Sequence, residues 1–334
     1  MNFGATILDA EGLRLTKDEA QFFREANPFG FILFARNVET ADQVYGLCCD
    51  MREAVGRDAP ITVDQEGGRV QRLRGPTWDE WQPPLDFVQM AGGDAPRAMY
   101  IRYRLIANEL KALTIDSNCA PMTDLAGPNT HAFLRNRCYS SSPNDVAELG
   151  RAVANGLMDG GVLPVLKHMP GHGRATSDSH HDLPQVDAEL EELSETDFVP
   201  FRALNDLPMG MTAHIRFAKI DEAPATLSRD MIDIVRADIG FEGLIMTDDI
   251  SMKALQGTTQ TVTRAAMDAG CDVALCCNKD LATREICANA AGTMTQAAQT
   301  RAERALQMRK TPDDIDIPEL KAELEALLSR QGNG

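Results

Sequence analysis

No apolar run in the sequence approaches the ~20 residues that a helix needs to cross a bilayer, so a membrane-spanning helix is excluded as an organising feature. Positive charge is scarce. Lys and Arg total 33 against 50 Asp and Glu, a formal net charge of −17. A surface of that sign repels phosphate backbones, which excludes nucleic acid as a partner. Neither a basic tail nor a basic amphipathic helix offers a contact with anionic lipid, so no membrane partner is expected. The opening stretch from Met1 carries no positive segment and reaches an acid at Asp9, unlike a secretory signal. Internal repeats, low-complexity tracts and Ser/Gly-rich linkers are also lacking.

The eight cysteines, at 48, 49, 119, 138, 271, 276, 277 and 287, include two adjacent pairs poorly suited to a disulfide framework. They read as buried, reduced thiols of a cytoplasmic protein. With 334 residues, 43% of them hydrophobic, the chain can build a full core, either as one large α/β barrel or as two ordinary domains.

Eight short apolar runs decide between these. They cover 5–8, 30–34, 61–63, 115–120, 163–166, 209–212, 243–246 and 272–275. Helical periodicity lies between them, at 42–55, 98–113, 145–159, 228–239 and 261–269. Near-continuous apolar strands alternating with helices indicate a parallel sheet covered by helices. Every run ends in polar or ionisable residues: Asp9, Arg36-Asn37, Asp64-Gln65-Glu66, Asp124, Lys167-His168, His214, Asp248-Asp249 and Asn278. A doubly wound open sheet concentrates such residues at one or two strand ends near its switch point. A (β/α)₈ TIM barrel gathers all eight ends on one face. The sequence therefore predicts a single barrel over residues 1–334, with an amphipathic helix from about Thr311 and a frayed end.

The densest chemistry lies between Lys167 and His181, which holds four of the six histidines. Gly171 and Gly173 allow this loop to fold over a pocket. Asp178, two residues before His180, can bond one ring nitrogen and orient the other, and imidazole exchanges protons near neutral pH. The roles of His172 and His181 stay open. A zinc site is the rival reading, but Pro170 and Gly171 break any helix that would align His168 with His172, and no His-x-His pair follows the first strand. No metal and no cofactor are expected. Asp248, directly after its strand, is the candidate nucleophile, while Asp249 or Ser251 can cap the next helix. Asp64 to Arg72 pairs an acid with arginines around Gly67-Gly68. It lacks the Gly-Lys-Ser/Thr ending of a phosphate loop and suits a polyhydroxylated ligand. Arg135 and Arg137 add guanidinium groups.

Three of these stretches, Asp64-Gln65-Glu66-Gly67-Gly68-Arg69, Lys167-His168-Met169-Pro170-Gly171-His172-Gly173 with Asp178-Ser179-His180, and Thr247-Asp248-Asp249-Ile250-Ser251-Met252, resemble the family 3 glycoside hydrolases. The likeness is to the single-domain bacterial β-N-acetylglucosaminidases of peptidoglycan recycling, from about Leu8 to Asn278. It implies a carbohydrate substrate, N-acetylglucosamine-containing muropeptides, with Asp248 as nucleophile, His180 as acid/base and Asp178 as its orienting partner. Asp64, Arg72, Arg137, Lys167 and His168 match sugar-binding positions. Met169 stands where the family often has an aromatic residue, and the surroundings of Arg137 differ. A histidine acid/base departs from the usual pair of carboxylates. A related phosphorylase or a non-catalytic sugar-binding barrel remain as alternatives, and the oligomeric state is not specified.

Overall fold

The computed structural model describes residues 2–176 and 183–329. Eight strands, numbered here in chain order, close into a parallel barrel: β1 (Gly4–Leu8), β2 (Pro28–Leu33), β3 (Ile61–Val63), β4 (Ser117–Asn118), β5 (Leu163–Met169), β6 (Met209–Thr212), β7 (Leu244–Asp249) and β8 (Val273–Cys276). Closure is made by β1, which pairs with β2 through Ile7 and Gly30 and with β8 through Ile7 and Leu275. Each strand matches one of the eight apolar runs. The fold is the TIM barrel expected from them.

Two-residue alternation divides the strand side chains into two layers. Ile7, Ile32, Cys119, Val165, Met211, Met246 and Leu275 fill the barrel, where unbranched methionines suit an irregular interior. Leu8, Phe31, Leu33 and Val63 point outward and meet Val44, Leu47 and Met51 of the helix Ala41–Val55. That helix begins where Thr40 accepts the Gln43 N–H, and Gly56 ends it in the left-handed conformation.

Two expectations change. The C-terminal helix starts at Ile317 instead of Thr311. Pro312 cannot donate a helical hydrogen bond, and Asp313 is held in an irregular segment by the Arg104 Nε donor at 2.7 Å. Asp316 then accepts the Glu319 N–H and caps the helix. The frayed end expected after Gln331 lies outside the described residues. All eight cysteines are free, but Cys49 is exposed on the outer face of its helix, while the other seven are buried.

Candidate active site

The C-terminal strand ends open onto a cavity of about 300 Å³, at the lower limit of ordinary small-ligand pockets. Asp64, Arg72, Arg137, Lys167, His168 and Asp248 all border it. Asp178, His180 and His181 lie outside the described residues. The segment leading to them is tied down: Asp124 Oδ1 accepts the His172 N–H at 2.6 Å, and Arg174 Nε donates to Asp197 Oδ2 at 2.7 Å.

Local structure explains how these residues reach one mouth. After β3 the chain makes a small hairpin, Gln65–Gly67 against Val70–Gln71. Gly67 sits at φ +113°, and a Cβ there would lie 1.9 Å from Arg102 Nη2 and 2.7 Å from the Gln82 carbonyl. Glycine at 67 thus serves a tight backbone approach, not a phosphate. Further along, β5 loses register against β6 between Leu166 and Met169. Such irregularities re-aim side chains, and here Lys167 and His168 both border the cavity. They fall within the last three residues of β5 itself, and Asp248 within the last two of β7, so none of them follows its strand as the sequence suggested.

Charges on the cavity floor are matched in a buried network. Lys167 Nζ donates to Asp64 Oδ1 at 2.8 Å and reaches Glu66 Oε1 at 2.6 Å. Arg72 Nη2 donates to Asp64 Oδ2 at 2.9 Å. Arg137 donates through Nε and Nη2 to the two oxygens of Glu66 at 2.9 and 2.7 Å. Burial alone would push Asp64 upward, but Lys167 and Arg72 outweigh it and hold the carboxyl well below its ordinary value. Glu66, with burial opposed by Arg137 and Lys167, is held at about 2. The network therefore presents fixed charges at neutral pH.

One further acid acts behind the wall. Asp124 Oδ2 lies 2.7 Å from His168 Nδ1, which leaves Nε2 as the nitrogen turned toward the cavity. His172 is buried 5.8 Å from the His168 ring, and burial pushes it down to about 4. Asp248 is half-buried, and its Oδ1 accepts the Asp249 N–H at 2.7 Å. Burial would raise its carboxyl; His214 and His168, followed by Lys167, bring it below the ordinary value. Asp249 also borders the cavity, but its carboxylate is engaged locally. Its oxygens accept the Ser251 N–H and hydroxyl, each at 2.9 Å, within a turn; the next helix, Thr259–Ala269, is capped by Thr258 and not by Asp249 or Ser251 as the sequence suggested.

Glu66 and Asp124 carry the arrangement, yet sequence reasoning assigned neither a role. A signal for Glu66 existed. Two residues apart on extended chain, Asp64 and Glu66 point the same way, and both meet Lys167. At the rim, Phe34 lies beneath the guanidinium groups of Arg36 and Arg72, and Arg69 stacks on Phe133 at 3.4 Å.

Residues 7–308 match the family described as glycosyl hydrolase family 3, N-terminal domain. The chain belongs to this family. Beta-hexosaminidases of Tolumonas auensis and Pseudomonas aeruginosa are both 36% identical to it. The first alignment covers 82% of this chain and 83% of that protein, the second 85% of each. Among solved structures, NagZ of Neisseria gonorrhoeae in complex with N-trifluoroacetyl-D-glucosamine superposes with a TM-score of 0.84 at 29% identity, covering 99% of this chain and 98% of that one. The family 3 β-N-acetylglucosaminidase of a Paenibacillus strain gives 0.85 at 27% identity, over 97% of this chain and 66% of that one. The family 3 membership expected from the three motifs holds across nearly the whole chain.

Proposed function

We propose that this β-N-acetylhexosaminidase removes terminal β-linked N-acetylglucosamine from peptidoglycan fragments, with retention of configuration and through a covalent glycosyl-aspartate at Asp248. The observation that carries the reading is the meeting of Asp248 with Asp64, Arg72, Arg137, Lys167 and His168 around one small cavity. A paired set of fixed charges suits neutral sugar hydroxyl and acetamido groups, which both donate and accept hydrogen bonds. Charged hydrogen bonds of this kind contribute about 1.5–3 kcal/mol each.

In the first step an Asp248 oxygen forms a bond to the anomeric carbon as the glycosidic C–O bond breaks, and protonated His180 gives its proton to the leaving oxygen. In the second, neutral His180 takes a proton from water, the water oxygen bonds to the anomeric carbon, and the bond to Asp248 breaks. Asp178 would hold the His180 ring in one tautomer. An anionic nucleophile opposite an imidazole avoids the mutual repulsion of two carboxylates. The depressed carboxyl of Asp248 supports its part, since a nucleophile must be ionised. No cofactor or metal enters these steps. The barrel acts as a single catalytic unit, and seven buried free thiols suit a cytoplasmic setting.

One assay tests the reading: turnover of an aryl β-N-acetylglucosaminide against the matching β-glucoside, with and without phosphate. Preference for the N-acetyl substrate with free sugar as product is expected. Phosphate-dependent release of sugar-1-phosphate would instead make it a phosphorylase, and no turnover of either would make it a sugar-binding barrel. Release of N-acetylglucosamine from a purified muropeptide tests the natural substrate.

A further inference from the structure

The backbone at Asp248 is not held by a regular ladder. Against β6, β7 is paired at Leu244–Met209, Ile245–Gly210 and Met246–Met211. Against β8 the register slips between Met246 and Asp249. Residues 247 and 248 therefore lie where strand pairing is interrupted, and side chains take over. Thr247 Oγ1 accepts the Leu275 N–H at 2.9 Å on the β8 side. From the β6 side the link is His214, whose Nε2 lies 3.0 Å from the Asp249 carbonyl oxygen. A carbonyl can only accept, so the bond network assigns a proton to Nε2. The other nitrogen, Nδ1, lies 2.8 Å from Thr226 Oγ1, and Thr226 is itself bonded to Thr212 Oγ1 at 2.9 Å and to the Ala213 carbonyl at 3.0 Å. His214 is fully buried and does not border the cavity.

We propose that His214 is a positioning residue for the nucleophile. It holds the Asp249 peptide by its carbonyl, and the N–H of residue 249 in turn holds Asp248 Oδ1 at 2.7 Å. The chain of contacts runs from β6 through one imidazole and one residue of backbone to the reacting carboxylate. A bulged strand end left without that pin could turn about its ψ and φ angles, and a displacement near 1 Å at a reacting atom costs on the order of 10²-fold in rate. The inference rests on Asp248 being the nucleophile.

Two polar substitutions separate the two sides of the ring. Gln at 214 can place its amide nitrogen where Nε2 stands and keep the bond to Asp249. Asn at 214 reaches only as far as Nδ1 and keeps the bond to Thr226. The readouts are the rate of covalent labelling by 5-fluoro-N-acetylglucosaminyl fluoride, which accumulates the glycosyl-enzyme, and the inhibition constant of free N-acetylglucosamine. His214→Gln is expected to label within about threefold of the wild-type rate, and His214→Asn to fall by roughly 10²-fold. The inhibition constant should stay within about twofold in both, because the floor contacts are untouched. Thr226→Ala, which frees the ring on its far side, gives an independent arm if His214→Asn fails to fold. A measurable loss of labelling rate is expected there, and an unchanged rate would overturn the proposal. Equal labelling by the Gln and Asn variants, or a loss that appears only in sugar affinity, overturns it as well. Wild-type enzyme that turns over substrate but is not labelled at Asp248 removes the nucleophile assignment and this inference together. Normal wild-type labelling with a fully active His214→Asn variant removes this inference alone.

Discussion

Arg137 and Glu66 meet through two hydrogen bonds of 2.9 and 2.7 Å, and the carboxylate so held also receives Lys167 at 2.6 Å. Glu66 is buried and does not border the cavity, whereas both of its cationic partners do. A carboxylate set behind the cavity thus fixes the position of two groups that border it.

Replacing Glu66 by Gln removes that charge while keeping the shape. Arg137 keeps at most one of its two bonds, and Lys167 is left with Asp64. Breaking a buried ion pair in this way costs up to about 3–5 kcal/mol of stability. In kinetics the main expected effect is a higher KM, because two cations bordering the cavity lose their fixed positions. Titration of the variant with N-acetylglucosamine checks this, and an unchanged affinity would show that Asp64 alone suffices to place Lys167.

The two adjacent acids of β7 are expected to fail differently. Asp248→Ala should abolish turnover with the fold intact, since its side chain is half-buried at the mouth and, among the described residues, bonds only to the next peptide. Asp249→Ala removes the acceptor for Ser251 and should lower the melting temperature. Circular dichroism melts alongside the aryl glycoside assay distinguish them. Near-normal rates in Asp248→Ala would transfer the nucleophile role to Asp249.

Stability should fall as pH drops below neutrality. His172 is pushed by burial from its ordinary 6.5 to about 4 in the folded protein, so the unfolded chain binds the extra proton first. The contribution is complete above about 6.5 and is lost progressively down to about 4, on the order of 3 kcal/mol in all. Glu66, lowered from 4.5 to about 2, acts with the same sign over the next lower range. Melting temperature measured from pH 7 to pH 4 should decline, and His172→Gln should flatten that decline. An unchanged slope in the variant would mean that His172 is already protonated in the fold.

For Asp178, the leaving group is the discriminating variable. Asp178→Asn keeps the shape but loses the charge proposed to stabilise the His180 imidazolium. Rates for poorly activated leaving groups should fall by a large factor, and those for nitrophenol by less, since nitrophenol departs with little protonation. The upper limb of the pH profile should also move. Equal losses for both substrates with an unmoved profile would leave Asp178 only a part in shaping the loop.

Sequence alone determined the barrel and several of the polar residues that border its cavity, because both are written in short-range patterns. A strand buried on two faces must be apolar along its length, and the polar residue after it marks its open end. Those ends, taken in order, place Asp64, Lys167, His168 and Asp248 on one face. Arg72 and Arg137 stood out as guanidinium groups following strand-end segments, with a sugar-binding role added by the family likeness, and the loop of Asp178 and His180 stood out through its histidine density.

Only the tertiary structure decided how these residues are held. Glu66 finds Arg137 71 positions away, and His214 reaches the carbonyl of Asp249 across 35. Register slips in β5 and β7 then aim Lys167, His168 and Asp248 inward. Local pattern carries no record of these pairings. They depend on which strand ends closure of the barrel brings within hydrogen-bond range, and on the need of each charge, once buried, for a partner from a distant part of the chain.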